Sequence, residues 1–166
     1  MTETIVFGAI AGDAAGRFAR RNSVVRCPET QAKDILSSLN FGDEGSLPES
    51  ITICKDNIKN WMWEDVGIIR NRKSLRAALG KIGELRGERV PRLKAGSFRQ
   101  LKNLLELRNM CLVAETVARS ADTREESRGG HYREDFPYRD DRHWLANIFI
   151  NMRHGKMNLT VTPKTD

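Results

Sequence analysis

The most chemically loaded part of the sequence is the segment 124–137, in which arginines and carboxylates surround two adjacent glycines. Arginine forks match carboxylates two hydrogen bonds at a time, so such a segment can make many bonds to a second surface. One interpretation is an anion or dicarboxylate site built from Arg128, His131 and Arg133. The favoured one is a docking loop whose ion pairs fix it to a neighbouring domain, because structural ion-pair networks are common. The candidate docking residues are Glu126, Ser127, Arg128, His131, Arg133 and Asp135.

The remaining histidines and cysteines form no catalytic or metal-binding pattern. The three histidines share no ligand spacing such as HxxxH, which argues against a metal site. The three cysteines lie far apart, are odd in number and form no CxxC motif, as expected of thiols in a reducing compartment. Cys54 and Cys111 fall on apolar helical faces and are predicted to be inert core thiols.

Charge raises the question of nucleic-acid binding, since the formal net charge is +6 and two basic tracts occupy 70–76 and 86–94. Both tracts interleave with helical periodicity, and Glu84 and Glu88 dilute the second. No recognition motif lies beside them. We therefore interpret the two basic tracts as solvent-exposed helix faces, and no nucleic-acid partner is expected.

Composition predicts a soluble globular chain. At 166 residues a single domain is expected, with 30% charged and 39% hydrophobic residues. No window approaches the run of about 18 uncharged apolar residues that a membrane span needs, and no basic flank precedes an apolar run at the N-terminus. We therefore expect no direct membrane insertion and no signal peptide.

Apolar residues at steps of three and four predict three helices, over 48–66, over 72–89, and from Ser97 to about residue 121. Asn71 is the predicted N-cap of the second helix. Ser97 and Gln100 form a predicted capping box at the start of the third. Since the connecting loops are short, the fold class is mainly α, with an antiparallel three-helix bundle like a spectrin repeat.

The flanking segments differ from the bundle. The first, Thr2–Arg21, places three glycines four residues apart on one helical face, which predicts a helix packed closely against another backbone. A short helix with a thin apolar stripe (Ile35, Leu36, Leu39) is expected after Pro28. The glycine spacing does not match a dinucleotide-binding fingerprint.

After Asp122 the charge density predicts an extended loop up to about residue 141. Alternating segments at 144–150 and 158–162 then predict a small β-hairpin, which turns at Arg153–Lys156. The chain thus divides into an N-terminal helical part, a three-helix bundle, and a loop with a hairpin. The predicted boundaries are 1–45, 46–122 and 123–166.

The segment Glu126-Ser-Arg-Gly-Gly-His-Tyr-Arg-Glu-Asp-Phe-Pro137, followed by Asp140-Asp141 and Trp144, resembles the C-terminal signature of the succinate dehydrogenase/fumarate reductase flavoprotein subunit family. L-aspartate oxidase belongs to the same superfamily and carries a related signature. Three other stretches look like family segments in the same order along the chain: Thr4–Gly8, Met62–Asn71 and Leu107–Glu115.

The resemblance implies a flavoprotein oxidoreductase that interconverts succinate and fumarate by hydride transfer with FAD and passes electrons through an iron–sulfur subunit. The family's FAD-binding and capping domains do not fit into 166 residues. Its catalytic residues lie before the point where this sequence starts, so no catalytic, cofactor-binding or metal-binding residue is carried over. Residues 1–45 are then expected to be a helical remnant of the FAD domain.

By the same resemblance, the bundle is expected to pack on an FAD-binding domain that is absent here, with the docking loop along the seam. The chain alone is expected to hold no cofactor, to be inactive, and to self-associate through its exposed glycine face. The expected location is cytoplasmic and peripheral at the inner face of the membrane, through partner subunits. The alternatives are an L-aspartate oxidase C-terminal domain and a free-standing helical interaction module.

Overall fold

The computed structural model describes residues 2–22, 28–39, 41–42, 48–153 and 155–164. The chain forms two compact units, Met1–Leu39 and Asn40–Asp166. The domain boundary predicted near residue 45 lies outside the described residues, so that division stays a prediction.

The first unit contains α1 (Thr2–Arg21) and α2 (Glu29–Ser38). Apolar side chains of α1, among them Phe7 and Phe18, are exposed, and no described atom lies within 4 Å of a Cβ built at Gly8 or Gly12. The close packing predicted for the glycine face is therefore not found within the described residues. The side chains of Ile35 and Leu36, predicted to form the stripe of α2, lie outside the described part. Nowhere in the described ranges is a helix both long and apolar enough to cross a bilayer.

The second unit is built on three long helices, which confirms the predicted antiparallel bundle. They are α3 (Pro48–Glu64), α4 (Arg72–Glu84) and α5 (Phe98–Thr123). A π-helical turn over Leu85–Arg89 and a 3₁₀ turn over Val90–Arg92 extend α4. The core between the helices is apolar and includes both predicted thiols. Its buried side chains include Ile51, Cys54, Ile58, Leu75, Ile82, Leu85, Leu104, Leu107 and Cys111.

Side-chain caps fix where α4 and α5 begin. The Asn71 side chain accepts a hydrogen bond from the Ser74 backbone N–H at 2.9 Å, and the Ser74 hydroxyl accepts from the Asn71 backbone N–H in return. Ser97 accepts from the Gln100 backbone N–H at 3.3 Å, as predicted. A capping box would have the Gln100 side chain accept a hydrogen bond from the Ser97 backbone N–H. Instead it accepts from the backbone N–H of Gly96, one residue earlier, at 2.7 Å.

The C-terminal hairpin pairs β3 (Ala146–Arg153) with β4 (Lys156–Pro163) in antiparallel register, which confirms the predicted element and lengthens it. Its turn contains Gly155 at φ 74°, a backbone conformation that glycine adopts without strain. One face carries apolar pairs, and the Thr116 hydroxyl of α5 reaches the Met157 sulfur at 3.9 Å. The apolar pairs are Ile148–Val161, Ile150–Leu159 and Met152–Met157.

The segment between α5 and the hairpin is not simply the extended loop that was predicted. It contains β2 (Tyr132–Arg133), which pairs in parallel with β1 (Ile69–Arg70) just before α4, and the single-turn α6 (Asp141–Trp144). Two-residue strands are too short to produce an alternation that sequence periodicity could detect. Their pairing places the candidate docking loop against the α3–α4 connection.

Candidate docking loop

The structure brings all six candidate residues together in one loop, where their side chains bind mainly to one another and, at a few points, to the ends of neighbouring elements. We define the docking loop as residues 124–141. Glu126 is its centre, and its side chain has no solvent exposure. Arg124 Nη1 donates to its carboxylate at 2.6 Å, and the backbone N–H of Asp140 donates at 2.9 Å. Arg128 adds two hydrogen bonds, from Nε at 2.7 Å and Nη2 at 3.0 Å.

These bonds decide the charge of Glu126. Burial alone would raise the pKa of its carboxyl, but the bonds from Arg128, from the Asp140 backbone and from Arg124 lower the pKa to about 2. The carboxylate is therefore charged at neutral pH. Because a buried charge without partners is strongly unfavourable, Glu126 and its arginines stabilise the loop only as a complete set.

Arg133 and Asp135 connect the ends of two helices. The fully buried guanidinium of Arg133 donates through Nη1 to the carbonyl oxygens of Ala121, at 2.7 Å, and Asp122, at 3.1 Å, in the last turn of α5. Its Nε and Nη2 bind the Asp135 carboxylate in a bidentate pair, both at 2.8 Å. Asp135 in turn accepts from the Arg72 backbone N–H at the start of α4, at 3.0 Å.

The pair thus matches both helix dipoles, with a cation at the C-terminal end of α5 and an anion at the N-terminal end of α4. The bond from Arg133 is the main cause that lowers the pKa of Asp135 to about 2, while partial burial opposes it. Such matched contacts at two helix ends hold α4 and α5 in register.

A tight turn closes the tip of the loop. The backbone N–H of Arg128 donates to the His131 carbonyl at 2.8 Å, and the His131 N–H donates back at 2.9 Å. Gly129 takes a positive φ of 57° within it. Ser127 secures the base of the turn, since its hydroxyl donates to the Phe136 carbonyl at 2.8 Å and accepts from the Arg133 N–H at 2.9 Å.

His131 contacts a cation from outside the loop. Its Nδ1 lies 2.8 Å from Nη1 of Arg70, and its Nε2 lies 3.4 Å from the Arg124 carbonyl oxygen. Since an arginine can only donate, Nδ1 accepts and the ring is neutral with its proton on Nε2. Burial is the main cause that lowers the pKa of His131, and the charges of Arg70, Arg133 and Arg124 add to it.

Two further contacts connect the loop to the C-terminal elements. Arg124 donates to the carbonyl oxygens of Trp144, at 3.1 Å, and Ala146, at 2.7 Å, at the start of the hairpin. Arg128 also reaches Asp141 in α6 at 2.6 Å. The docking loop therefore joins α4, α5, α6 and β3.

The anion-site interpretation requires free guanidinium edges on Arg128 and Arg133, and the structure engages both with carboxylates of the chain itself. Whether the loop also docks onto another domain stays a prediction. The partners that sequence reasoning missed include Arg70, Arg72, Arg124 and Asp141. A local signal was present for some of them, because the pairs 124/126, 126/128, 133/135 and 139/141 are all opposite in charge and two residues apart in the sequence.

The described residues do not fit an FAD site. A flavin dinucleotide needs free donors for its pyrophosphate, often at a helix N-terminus. Here the N-termini of α4 and α5 are capped by Asn71 and Ser97, and the buried arginines of the docking loop bind carboxylates and carbonyl oxygens. We therefore derive no step of a flavin reaction from these residues.

Comparison with known proteins gives a family match over residues 55–165, to the family described as fumarate reductase flavoprotein C-term. A CoM/CoB fumarate reductase polypeptide of Methanothermobacter marburgensis is 38% identical over 165 residues, which cover 92% of this chain and 28% of the relative. An L-aspartate oxidase of Acinetobacter baylyi is 33% identical over 140 residues, or 82% of this chain and 24% of the relative.

Solved structures agree with these relatives. A chain of E. coli quinol fumarate reductase superposes with a TM-score of 0.77 at 28% identity, over 96% of this chain and 29% of that one. A quinol-fumarate reductase solved with menaquinol molecules gives a TM-score of 0.77 at 27% identity, over 97% and 30% of the respective chains. The chain thus spans 24–30% of the length of these proteins.

Proposed function

This chain belongs to the fumarate reductase flavoprotein C-terminal family, and we propose that it is the C-terminal domain of an FAD-dependent oxidoreductase that interconverts succinate and fumarate. The observation that carries the proposal is the family match over 55–165, supported by the 38% identity to a fumarate reductase polypeptide. In the intact protein, FAD would exchange a hydride with the dicarboxylate, and an iron–sulfur subunit would take or supply the electrons.

Within that protein we propose a structural role for this domain. The guanidinium groups of Arg124, Arg128 and Arg133 are engaged by carboxylates and carbonyl oxygens of the chain itself, and the bonds of Arg133 reach the end of a helix. Glu126, Ser127, Arg128, His131, Arg133 and Asp135 would shape the surface that rests on the FAD-binding domain. On this proposal the chain alone binds no flavin, is inactive, and exposes the apolar face of α1 to self-association.

The proposed location is cytoplasmic, peripheral to the inner face of the membrane through partner subunits. The neighbours named as quinol fumarate reductases support this placement, since quinols reside in membranes. The domain itself would contact the membrane only through those partners.

The test compares the isolated chain with the full-length flavoprotein encoded with its upstream sequence. We expect the full-length protein to retain FAD and to oxidise a reduced viologen dye in the presence of fumarate. The isolated chain should retain no flavin and show no turnover after FAD is added. Turnover by the isolated chain would contradict the structural role, and a flavin-loaded full-length protein inactive on both fumarate and succinate would contradict the proposed reaction.

A single substitution tests the docking role separately. Arg128→Ala in the full-length protein should lower flavin content, because Glu126 loses two charged hydrogen bonds at the base of the loop. Turnover per bound flavin should stay near the wild-type value. The matched control is Arg142→Ala, which removes the same charge from an exposed position. Normal flavin content combined with turnover lowered by orders of magnitude would instead place Arg128 in the chemistry.

A second candidate is L-aspartate oxidase, which the 33% identity over 82% of this chain supports. The same full-length preparation distinguishes the two, because only this candidate reduces its flavin with L-aspartate. Bleaching of the flavin absorbance by succinate but not by L-aspartate would favour the first candidate.

A further inference from the structure

A groove of about 410 Å³ opens beside the docking loop, between α5, β1 and β3. Its lining includes the basic side chains Arg70, Arg124 and His131 and the aliphatic side chains Val117 and Ile148. The groove thus combines cationic and aliphatic groups, and it is large enough for a small organic ligand or one side chain of a partner.

Arg70 differs from the other arginines around this groove. Arg124 pairs with Glu126, and Arg133 pairs with Asp135, whereas no described carboxylate lies within 4 Å of Arg70. Partial burial lowers the pKa of Arg70, and no neighbouring carboxylate opposes that effect within the described part of the chain. A partly buried cation of this kind is unfavourable until an anion pairs with it.

The Arg70 guanidinium is also held in place before any ligand arrives. Its Nε donates to the carbonyl oxygens of Val66, at 2.9 Å, and Gly67, at 2.8 Å, while Nη1 donates to Nδ1 of His131 at 2.8 Å. No described residue accepts a hydrogen bond from Nη2. A fixed donor of this kind loses little entropy on binding, which favours an anion that approaches its open edge.

The rest of the groove limits the shape of that anion. Thr116 and Ser120 already donate their hydroxyl protons to the carbonyl oxygens of Leu112 and Thr116, each at 2.8 Å. They therefore offer lone pairs rather than donors, which disfavours a ligand that is anionic over its whole surface. Val117 and Ile148 favour an aliphatic portion next to the charged head.

We propose that this groove binds a carboxylate carried on a short aliphatic chain, with Arg70 as the residue that pairs with the carboxylate. The ligand is either a free small carboxylic acid or a glutamate side chain of a partner segment, since both present the same group. The site uses Arg70 and His131 and is separate from the carboxylates that occupy Arg128 and Arg133. The proposal does not depend on the proposed reaction.

The test titrates the 166-residue chain with butyrate and follows the Arg70 Nε–H signal by NMR. Butyrate should bind in the millimolar range, and butyramide, its uncharged analogue, should not. A blocked Leu-Glu-Leu tripeptide is the second probe. Binding of the tripeptide about tenfold tighter than butyrate supports a partner side chain, and equal or weaker binding supports a free acid. No response to either carboxylate at tens of millimolar would overturn the proposal.

Two variants place the ligand in the groove. Arg70→Gln should raise the Kd of butyrate at least about tenfold, because the charged hydrogen bond is lost. Arg142→Gln, the same change at an exposed position, should leave the Kd unchanged. Val117 makes none of the hydrogen bonds of Arg70, and its side chain is 39% exposed, so Val117→Glu should fold. It should weaken butyrate binding by placing a carboxylate in the groove. Unchanged binding in folded Val117→Glu, or equal binding in Arg70→Gln and wild type, would contradict the assignment.

Discussion

The docking loop and the core of the three-helix bundle both contain buried side chains, but these side chains are held by opposite kinds of interaction. The core packs leucines, isoleucines and two thiols, and burial raises the pKa of the Cys111 thiol to about 11, so it stays uncharged. The loop buries the carboxylate of Glu126 and the guanidinium of Arg133, and each of these groups is bound by a partner of opposite charge. An apolar core tolerates the replacement of one apolar side chain by another of similar volume. A buried ion pair tolerates neither the loss of one partner nor a shift in its position.

The largest effect is expected at Glu126. Glu126→Gln keeps the volume of the side chain but leaves Arg124 and Arg128 facing a neutral group, so we expect a loss of about 3–5 kcal/mol in the free energy of unfolding. Urea denaturation followed by circular dichroism measures this change. The control is Glu125→Gln, which removes an exposed partner of Arg72 and should cost at most about 1 kcal/mol. Equal effects of the two changes would mean that burial of Glu126 contributes little.

The core should respond to a change in volume instead. Leu107→Ala removes a fully buried side chain from α5, and the cavity should lower the free energy of unfolding by about 2–5 kcal/mol. Leu105→Ala, at a neighbouring position in the same helix that is 36% exposed, should have a smaller effect. Leu107→Met should recover most of the loss, because it conserves volume. A similar loss for Leu107→Met and Leu107→Ala would show that cavity volume does not determine the cost.

These two regions also differ in how well sequence reasoning could describe them. The helices were predictable because apolar steps of three and four persist over several turns, and Asn71 and Ser97 mark two starts. The loop residues were identifiable by type, but most of their partners were not. Arg70 lies 61 residues from His131, and Arg72 lies 63 residues from Asp135, so these contacts exist only once α4 and α5 have packed.

The first helix shows a different limit. Its glycine spacing correctly indicated a helix with a narrow face, since α1 covers Thr2–Arg21. The periodicity of a sequence indicates that one face of a helix is apolar or narrow, but it carries no information on what packs against that face. The close packing inferred from Gly8 and Gly12 accordingly has no counterpart among the described residues.

Lowering the pH should weaken the interactions of the docking loop but not those of the apolar core. Glu126 and Asp135 have pKa values lowered to about 2, so their contribution to stability is complete above their unfolded pKa values, near 4, and is lost as pH falls toward 2. His131, whose pKa is also lowered, adds an earlier loss below about pH 6.5, because the unfolded chain takes up its proton first. Urea midpoints measured from pH 7 to pH 3 report both steps.

The variant His131→Asn should remove the loss of stability below about pH 6.5 and keep the loss below about pH 4. The pH at which the urea midpoint falls therefore distinguishes the two steps. Stability that is constant from pH 7 to pH 3 in the wild-type chain would contradict both assignments. The apolar side chains of the core should not contribute to either step, whereas Glu115, a buried glutamate of α5 whose pKa is also lowered, should add to the later one.

The smallest effect compares two glycines in different backbone conformations. Gly155→Ala places a Cβ at φ 74° in the hairpin turn and should destabilise the chain by about 1–2 kcal/mol. Gly83→Ala, in α4 with open space around the position, should stabilise it by about 1 kcal/mol through helix propensity. Thermal unfolding shifts of opposite sign are expected. Shifts of the same sign would mean that one of the two backbone assignments is wrong.

The two-residue spacing of the ion pairs in the docking loop has a consequence for how this segment can change over time. Deleting or inserting one amino acid between 126 and 128, or between 133 and 135, would change the distance between two partners whose hydrogen bonds depend on it. Length variation in natural variants of this segment should therefore be rare.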